Sequence, residues 1–203
     1  MTSAPYDVVI LPSPELAERA TLLSSQLARK GVLFTLRDGA FYPHISLYML
    51  QLKATDLDAI KQYLAEIAEE TSSLNLTASK YWQAKQFFDA EYEKSDELSQ
   101  LQINVVTRLN PIRDGMRTKD VERMKEATGI AFTNLKDYGW STIGELYRPH
   151  LTVTRFTADQ DLASLTLPPI QEFVGEFSKL GLFEMGDNNT CVRKIAEFNL
   201  KVQ

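Results

Sequence analysis

The sequence predicts an α+β fold: two pseudo-symmetric lobes of antiparallel sheet, with helices on the outside and a central cleft. Three observations favour this fold. Strand-like and helix-like segments are mixed along the 203 residues without a strict β-α-β alternation. A strong hairpin signal, Gly186 to Asn189, joins two strand-like stretches. One short phrase, proline-histidine-apolar-hydroxyl, occurs once in each half. We expect residues 1–203 to form a single bilobal domain.

The first half predicts a strand, a helix, two strands and a second helix. The run YDVVIL is rich in β-forming residues and predicts the first strand. Ser13 followed by Pro14 is typical of a helix start, and Gly31 of its end. VLFTLRDG and HISLYML predict two strands, with Asp38-Gly39 as the turn before the second. TDLDAIKQYLAEIAEE predicts a helix capped by Thr55.

The second half also predicts a mixture of strands and helices without strict alternation. LNLTASKYWQAKQFFDAEYE predicts one or two strands, and Ser95 or Asp96 caps the next helix, which is interrupted at Pro111. KDVERMKEATG predicts a helix that ends at Gly129. HLTVTRF predicts a strand, and FVGEFSKLGLFEM and CVRKIAEFNLKV predict the two strands of the closing hairpin.

Composition indicates an ordinary globular chain, with 44% hydrophobic and 24% charged residues. The net charge of −5 argues against a protein that coats long nucleic acid. The mixed-charge stretch 108–125 fits a solvated face better than a phosphate-contacting patch. No signal peptide and no window of roughly 20 apolar residues is present, so we expect a soluble cytoplasmic monomer with no membrane partner. The single cysteine, Cys191, excludes an internal disulfide, and we expect it to be a packing residue.

The two histidines of the chain, His44 and His150, both occupy the repeated phrase. Average residue usage makes that coincidence on the order of one in 10⁴ to 10⁵. Side chains alternate along a strand, so His44 and Ser46 face one way, as do His150 and Thr152. The apolar residues between them face the core.

Two such pairs facing each other suit metal-independent phosphodiester chemistry. One imidazole accepts a proton while the other donates one. The hydroxyls of Ser46 and Thr152 can donate hydrogen bonds to phosphate oxygens. No cofactor is needed.

Other classes remain open or are disfavoured by missing motifs. The sequence has no phosphate-binding glycine loop and no G-x-S-x-G nucleophile motif. A metal site built from the two histidines and carboxylates stays open, although no H-E-x-x-H or cysteine cluster is present. A nucleotide- or RNA-end-binding module without turnover is the main alternative function. The simplest alternative is a domain with two structural histidines.

The phrases PHISLY and RPHLTVTRF resemble the paired H-x-[S/T] motifs of the 2H phosphoesterase superfamily, which includes bacterial RNA 2′,3′-cyclic phosphodiesterases. The resemblance implies a bilobal fold and hydrolysis of a 2′,3′-cyclic phosphate on a small nucleotide or an RNA end, as in RNA processing. It implies that His44 and His150 are catalytic and that Ser46 and Thr152 bind phosphate.

The same family pattern often adds a basic or aromatic residue beside the site. Tyr42, Tyr147 and Arg155 are the candidates, although regular alternation places Arg155 on the face opposite His150. We expect His150 to act as the base and His44 as the acid, with the two roles exchanged in the reverse reaction.

Overall fold

The computed structural model describes residues 3–37 and 39–202, which form one antiparallel sheet with five helices among them. The strands are β1 (Ser3–Pro12), β2 (Val32–Thr35), β3 (Ile45–Lys53), β4 (Leu74–Leu76), β5 (Ala78–Ala84), β6 (Phe87–Tyr92), β7 (His150–Phe156), β8 (Gly175–Met185) and β9 (Cys191–Asn199). The helices are α1 (Pro14–Leu27), α2 (Leu57–Glu70), α3 (Asp96–Leu109), α4 (Thr118–Met124) and α5 (Gly129–Tyr138).

The sheet consists of two groups of strands that meet between β3 and β7. Its main order is β4-β8-β1-β3-β7-β6-β5, with β9 added to β8 and β2 added to β7. The first lobe therefore contains β1, β3, β4, β8 and β9, and the second contains β2, β5, β6 and β7. Only the pair Ile45–Leu151 joins β3 to β7 in the described ladders. The predicted α+β fold with two antiparallel lobes is confirmed.

The helices cover the sheet and complete its core. Helix α1 lies against β2 and β7, α3 against β3, and α2 against β8 and β9. Each of these three helices buries an apolar stripe, as an amphipathic helix at the edge of a core does. In α2 that stripe is Ile60, Leu64 and Ile67, and in α3 it includes Leu98 and Val105.

Capping residues explain where two of the helices begin. The Ser13 hydroxyl accepts a hydrogen bond from the Leu16 amide, and the Ser95 hydroxyl accepts one from the Leu98 amide. Both satisfy donors that have no partner inside the helix. Thr55 does not cap α2, contrary to the prediction: it lies in a 3-10 turn and its hydroxyl donates to the neighbouring Asp56 carboxylate.

The sequence prediction also differs from the structure in the middle of the chain. Residues 74–93 hold three strands rather than one or two. The helix predicted to end at Gly129 ends at Met124, and α5 begins at Gly129 instead. Gly129 has a positive φ of 56°, and this conformation changes the direction of the backbone between the two helices. The predicted Asp38-Gly39 turn falls partly outside the described residues. Within those residues, no helix is long and apolar enough to cross a membrane.

Candidate active site

The two histidine phrases meet at the seam between the lobes. Ile45 pairs with Leu151 in the antiparallel sense, and both side chains are fully buried. In such a pair the flanking residues on both strands point to the opposite face. His44 and Ser46 therefore share one face with His150 and Thr152. All four line a single cavity of about 270 Å³, close to the lower end of the roughly 300–1,000 Å³ typical of small-ligand sites.

A β-bulge follows each histidine at the same distance along its strand. The ladder of β1 and β3 passes from Tyr48 to Ser46 and leaves Leu47 unpaired. The ladder of β6 and β7 passes from Thr154 to Thr152 and leaves Val153 unpaired. Each unpaired residue is the third after its histidine, so the lobes share a local distortion as well as a motif. Such bulges re-aim side chains near functional sites.

Both imidazoles are held by the same backbone contact. The Nδ1 atom of His44 lies 2.7 Å from the Tyr42 carbonyl oxygen, and that of His150 lies 2.7 Å from the Arg148 carbonyl oxygen. A carbonyl only accepts, so Nδ1 carries the proton in each ring. The Nε2 atom is then the one available to take or give a proton, or to bind a metal.

A buried carboxylate stands beside each motif. Ser46 donates a hydrogen bond of 2.7 Å to Asp7, and Thr152 donates one of 2.8 Å to Asp89. The same carboxylates lie 3.6 Å from His44 Nε2 and 3.9 Å from His150 Nε2. Sequence reasoning missed both aspartates. The only signal was a charged residue inside an apolar strand, as in YDVVIL and FFDAEY.

The two carboxylates differ in charge compensation. Asp89 contacts the Arg148 guanidinium at 2.9 Å, and Arg148 also contacts Glu91. Asp7 is 0% exposed, and no lysine or arginine of the described residues lies in salt-bridge contact with it. Burial raises the pKa of Asp7 to about 7, against the lowering effects of the Ser46 hydrogen bond and of Arg117. The first lobe therefore holds a carboxylate that is costly to ionise.

His44 is the more buried of the two histidines. Its side chain is 13% exposed, against 30% for His150. Burial lowers the pKa of His44 to about 4; the bond to the Tyr42 carbonyl raises it, and the nearby His150 lowers it further. At neutral pH the His44 ring is therefore neutral, with an unprotonated Nε2.

Tyr42 and Tyr147, two of the three predicted supporting residues, line the cavity. The Tyr42 ring packs on Phe183, with a centroid distance of 4.9 Å. The Tyr147 hydroxyl donates to the Ser46 carbonyl oxygen at 3.1 Å, and burial raises the pKa of this phenol. Tyr147 therefore stays protonated and stabilises β3 through this hydrogen bond.

Arg155 differs from the prediction that it faces away from the site. The bulge at Val153 changes the alternation of β7, so Arg155 pairs across the ladder with Phe87 and stacks on its ring at 4.7 Å. Its guanidinium donates to the Asn188 side chain at 2.7 Å. Phe87 and Asn188 both line the cavity, whereas Arg155 does not. Arg155 therefore contacts two residues of the cavity lining, Phe87 and Asn188, from behind them.

Further cavity residues were not predicted from the sequence. Arg148, Arg123 and Lys85 bring positive charge to the lining. Most positive charges of the 108–125 stretch are paired with carboxylates, as in Arg117–Asp120 and Lys125–Glu122. The Arg117–Asp120 pair is buried and Arg123 lines the cavity, so the stretch is only partly the solvated face that was predicted. The adjacency of arginine to the motif in RPH was the available signal for Arg148.

Cys191 is a buried packing residue, as predicted, and it also lies at the site. It is the first residue of β9, and its Sγ lies 3.7 Å from His44 Nε2. Burial and the neighbouring Asp7 raise the pKa of this thiol. Asp7, His44 and Cys191 form the one group of three metal-ligand residues found in the described part of the chain, with ligand atoms within 4.8 Å of one another.

Solved structures with the same fold include E. coli LigT and a structure described as a phosphoesterase. E. coli LigT complexed with 3′-AMP matches with a TM-score of 0.60 and 14% identity, over 98% of this chain and 99% of that one. E. coli LigT complexed with phosphate matches with a TM-score of 0.55 and 13% identity, over 99% of each chain. A structure described as a phosphoesterase matches with a TM-score of 0.55 and 14% identity, over 98% and 99%. These structures share 13–14% of their residues with this chain, and the likeness confirms the fold.

Comparison by sequence matches a shorter part of the chain than comparison by structure does. A family model described as "Protein of unknown function (DUF1045)" matches residues 50–181. That range includes His150 and Thr152 and begins after His44 and Ser46. No curated protein sequence matches this chain at a significant level.

Proposed function

This chain belongs to the family described as "Protein of unknown function (DUF1045)", and we propose that it is a phosphodiesterase acting on a 2′,3′-cyclic phosphate of a nucleotide or an RNA end. One observation carries the proposal: the Ile45–Leu151 pair brings two histidines and two hydroxyls onto one face within one cavity. That arrangement suits a reaction in which one oxygen loses a proton while another gains one. The 3′-AMP bound in LigT supports a nucleotide as the substrate class.

We assign the base to His44 and the acid to His150. This reverses the assignment suggested by the sequence, because His44 is the more buried imidazole. Burial favours its neutral form, in which Nε2 carries no proton and can accept one. His150 keeps more contact with water, so a charged imidazolium costs less there.

The reaction balances with these two groups alone. Water attacks phosphorus and gives a proton to His44 Nε2. The bond from phosphorus to one ribose oxygen breaks, and His150 Nε2 gives its proton to that oxygen. The product is a ribose phosphomonoester, and proton exchange with water restores both rings. No step needs a metal ion, so we expect turnover to persist in a chelator.

Phosphate binding by Ser46 and Thr152 requires a change of hydrogen-bond partner. Each hydroxyl has one proton, which is donated to Asp7 or Asp89. A bound phosphate must therefore draw that proton away from the carboxylate. Arg148 supplies further donors, because a guanidinium has five N–H groups and only two hydrogen bonds from it are made in this site.

The walls of the cavity suit a flat aromatic group next to the phosphate. Phe41 and Phe87 both line it and are partly exposed. A base stacked on such a ring gains about 1–3 kcal/mol without sequence preference. We therefore propose that the nucleoside portion binds along this side.

The test is hydrolysis of a panel of 2′,3′-cyclic mononucleotides and one RNA oligomer with a cyclic phosphate, in EDTA. We expect wild-type turnover and a loss of roughly 10² or more in His44→Ala and in His150→Ala. Thr152→Val should lower activity, whereas Thr154→Val is the matched control, since Thr154 does not line the cavity and its hydroxyl donates to the Phe34 carbonyl. Turnover that survives both histidine variants would refute the proposal. Nucleotide binding without turnover would favour the binding-module alternative.

A further inference from the structure

We propose that Asp7, His44 and Cys191 form a zinc site in the inner wall of the cavity, and that zinc bound there blocks the reaction proposed above. The blocking effect rests on the proposed function, because it requires His44 Nε2 to be the catalytic base. The binding itself rests only on the arrangement of the three side chains.

The distances between the ligand atoms suit one small cation. His44 Nε2 lies 3.6 Å from Asp7 Oδ2 and 3.7 Å from Cys191 Sγ. In a tetrahedral zinc site with usual bond lengths, neighbouring ligand atoms are about 3.3–3.6 Å apart. The third edge, between Asp7 and Cys191, is at most 4.8 Å. A set of sulfur, nitrogen and oxygen donors in a tetrahedral arrangement suits zinc.

Asp7 has an unused acceptor at this place. Its Oδ1 atom is buried without a hydrogen-bond partner among the described residues, while Oδ2 accepts from Ser46. Buried polar atoms without partners are rare in folded proteins and need an explanation. A cation between Asp7 and Cys191 would supply that partner.

The second lobe provides an internal comparison. There the equivalent carboxylate, Asp89, is neutralised by Arg148, which is two residues before His150. Two residues before His44 the chain has Tyr42, which carries no charge. The first lobe therefore lacks the built-in cation of the second and has a thiol in its place. Zinc would restore the charge balance that the guanidinium gives the other lobe.

The histidine is already oriented for coordination. Nδ1 donates to the Tyr42 carbonyl, which fixes the ring and leaves Nε2 as the ligand atom. Metal-bound histidines usually have such a partner on the other nitrogen. Cys191 and His44 line the cavity, so an ion can reach them and keep one position open to water. On binding, the Cys191 thiol gives its proton to solvent.

Binding is tested with Co²⁺ as a spectroscopic substitute for zinc, added to the full chain freed of metal by a chelator. We expect one equivalent to give a thiolate-to-cobalt absorption band and the visible bands of tetrahedral cobalt, both removed by zinc. Cys191→Ala, Cys191→Ser and His44→Ala should weaken binding by about 10² or more. His150→Ala is the matched control and should keep the band. Absence of the band in the wild type, or its persistence without Cys191, would overturn the site.

Inhibition is measured separately on a 2′,3′-cyclic mononucleotide. We expect zinc to abolish wild-type turnover and EDTA to restore it, while Cys191→Ala needs about 10²-fold more zinc for the same fraction of inhibition. Turnover that requires zinc would overturn the inhibitory role. If cobalt binds as described but no turnover occurs in EDTA, the proposed function fails and the metal site stands.

Discussion

Replacing Asp7 by asparagine tests the claim that the first lobe buries a carboxyl group without a compensating charge. The asparagine Oδ1 can still accept the Ser46 hydrogen bond, so the substitution mainly removes the charge. Burial raises the pKa of Asp7 from its ordinary 3.8 to about 7. The folded protein therefore binds more protons here than the unfolded chain does between those two values. The free energy of unfolding from this group is greatest below pH 3.8 and falls as pH rises through about 7.

The size of the effect follows from the width of that window. At 1.36 kcal/mol per pKa unit, the whole window corresponds to about 4 kcal/mol, and the part between pH 5 and pH 7 to about 3 kcal/mol. His44 acts in the opposite sense, because its lowered pKa makes the folded state bind fewer protons between about pH 4 and 6.5. That contribution is common to both proteins and largely cancels in their difference.

The assay is urea unfolding in EDTA, followed by circular dichroism, at about pH 5 and about pH 8.5. We expect the stability of Asp7→Asn relative to wild type to improve by about 3 kcal/mol from the lower to the higher pH. Asp89→Asn is the matched control: it leaves Arg148 without one partner and should lower the free energy of unfolding by about 1–3 kcal/mol at the higher pH. An Asp7→Asn difference that does not change with pH would refute the reasoning.

Three further predictions concern two residues that line the cavity and one glycine of β8. Arg148→Ala should weaken binding of inorganic phosphate about tenfold, as measured by calorimetry, since charge-assisted hydrogen bonds are lost; unchanged affinity would exclude Arg148 as a phosphate ligand. Tyr147→Phe should lower the free energy of unfolding by about 1 kcal/mol in urea, because the hydrogen bond to the Ser46 carbonyl is lost, and equal stability would show that the bond contributes nothing net. Gly181→Ala should cost about 1–3 kcal/mol in the same assay, because its Cβ would lie 2.5 Å from the buried Phe183 ring; a neutral result would mean that the ring moves freely.

The sequence predicted those parts of the site that are local along the chain. Alternation within a strand is enough to place His44 with Ser46 and His150 with Thr152. Ser13 and Ser95 mark helix starts because a cap depends on neighbouring residues. The repeated phrase then indicated that both pairs share one site.

The remaining parts depend on contacts between distant segments. Asp7 and Asp89 reach the motifs from neighbouring strands, and Cys191 from the last strand, so no spacing in the chain reveals them. The bulge at Val153 arises from pairing with β6 and moves Arg155 to the cavity side. These are tertiary effects on register, which local patterns do not contain.

The most direct test of the central claim is a double-mutant cycle on His44 and His150, read as kcat/KM for a 2′,3′-cyclic nucleotide in EDTA. Residues that act as one catalytic unit are strongly non-additive. If the two imidazoles work as an acid–base pair, each alanine variant loses roughly 10² or more and the double variant loses little beyond the worse single one. Losses that multiply in the double variant would contradict the account, since they would show two histidines acting independently.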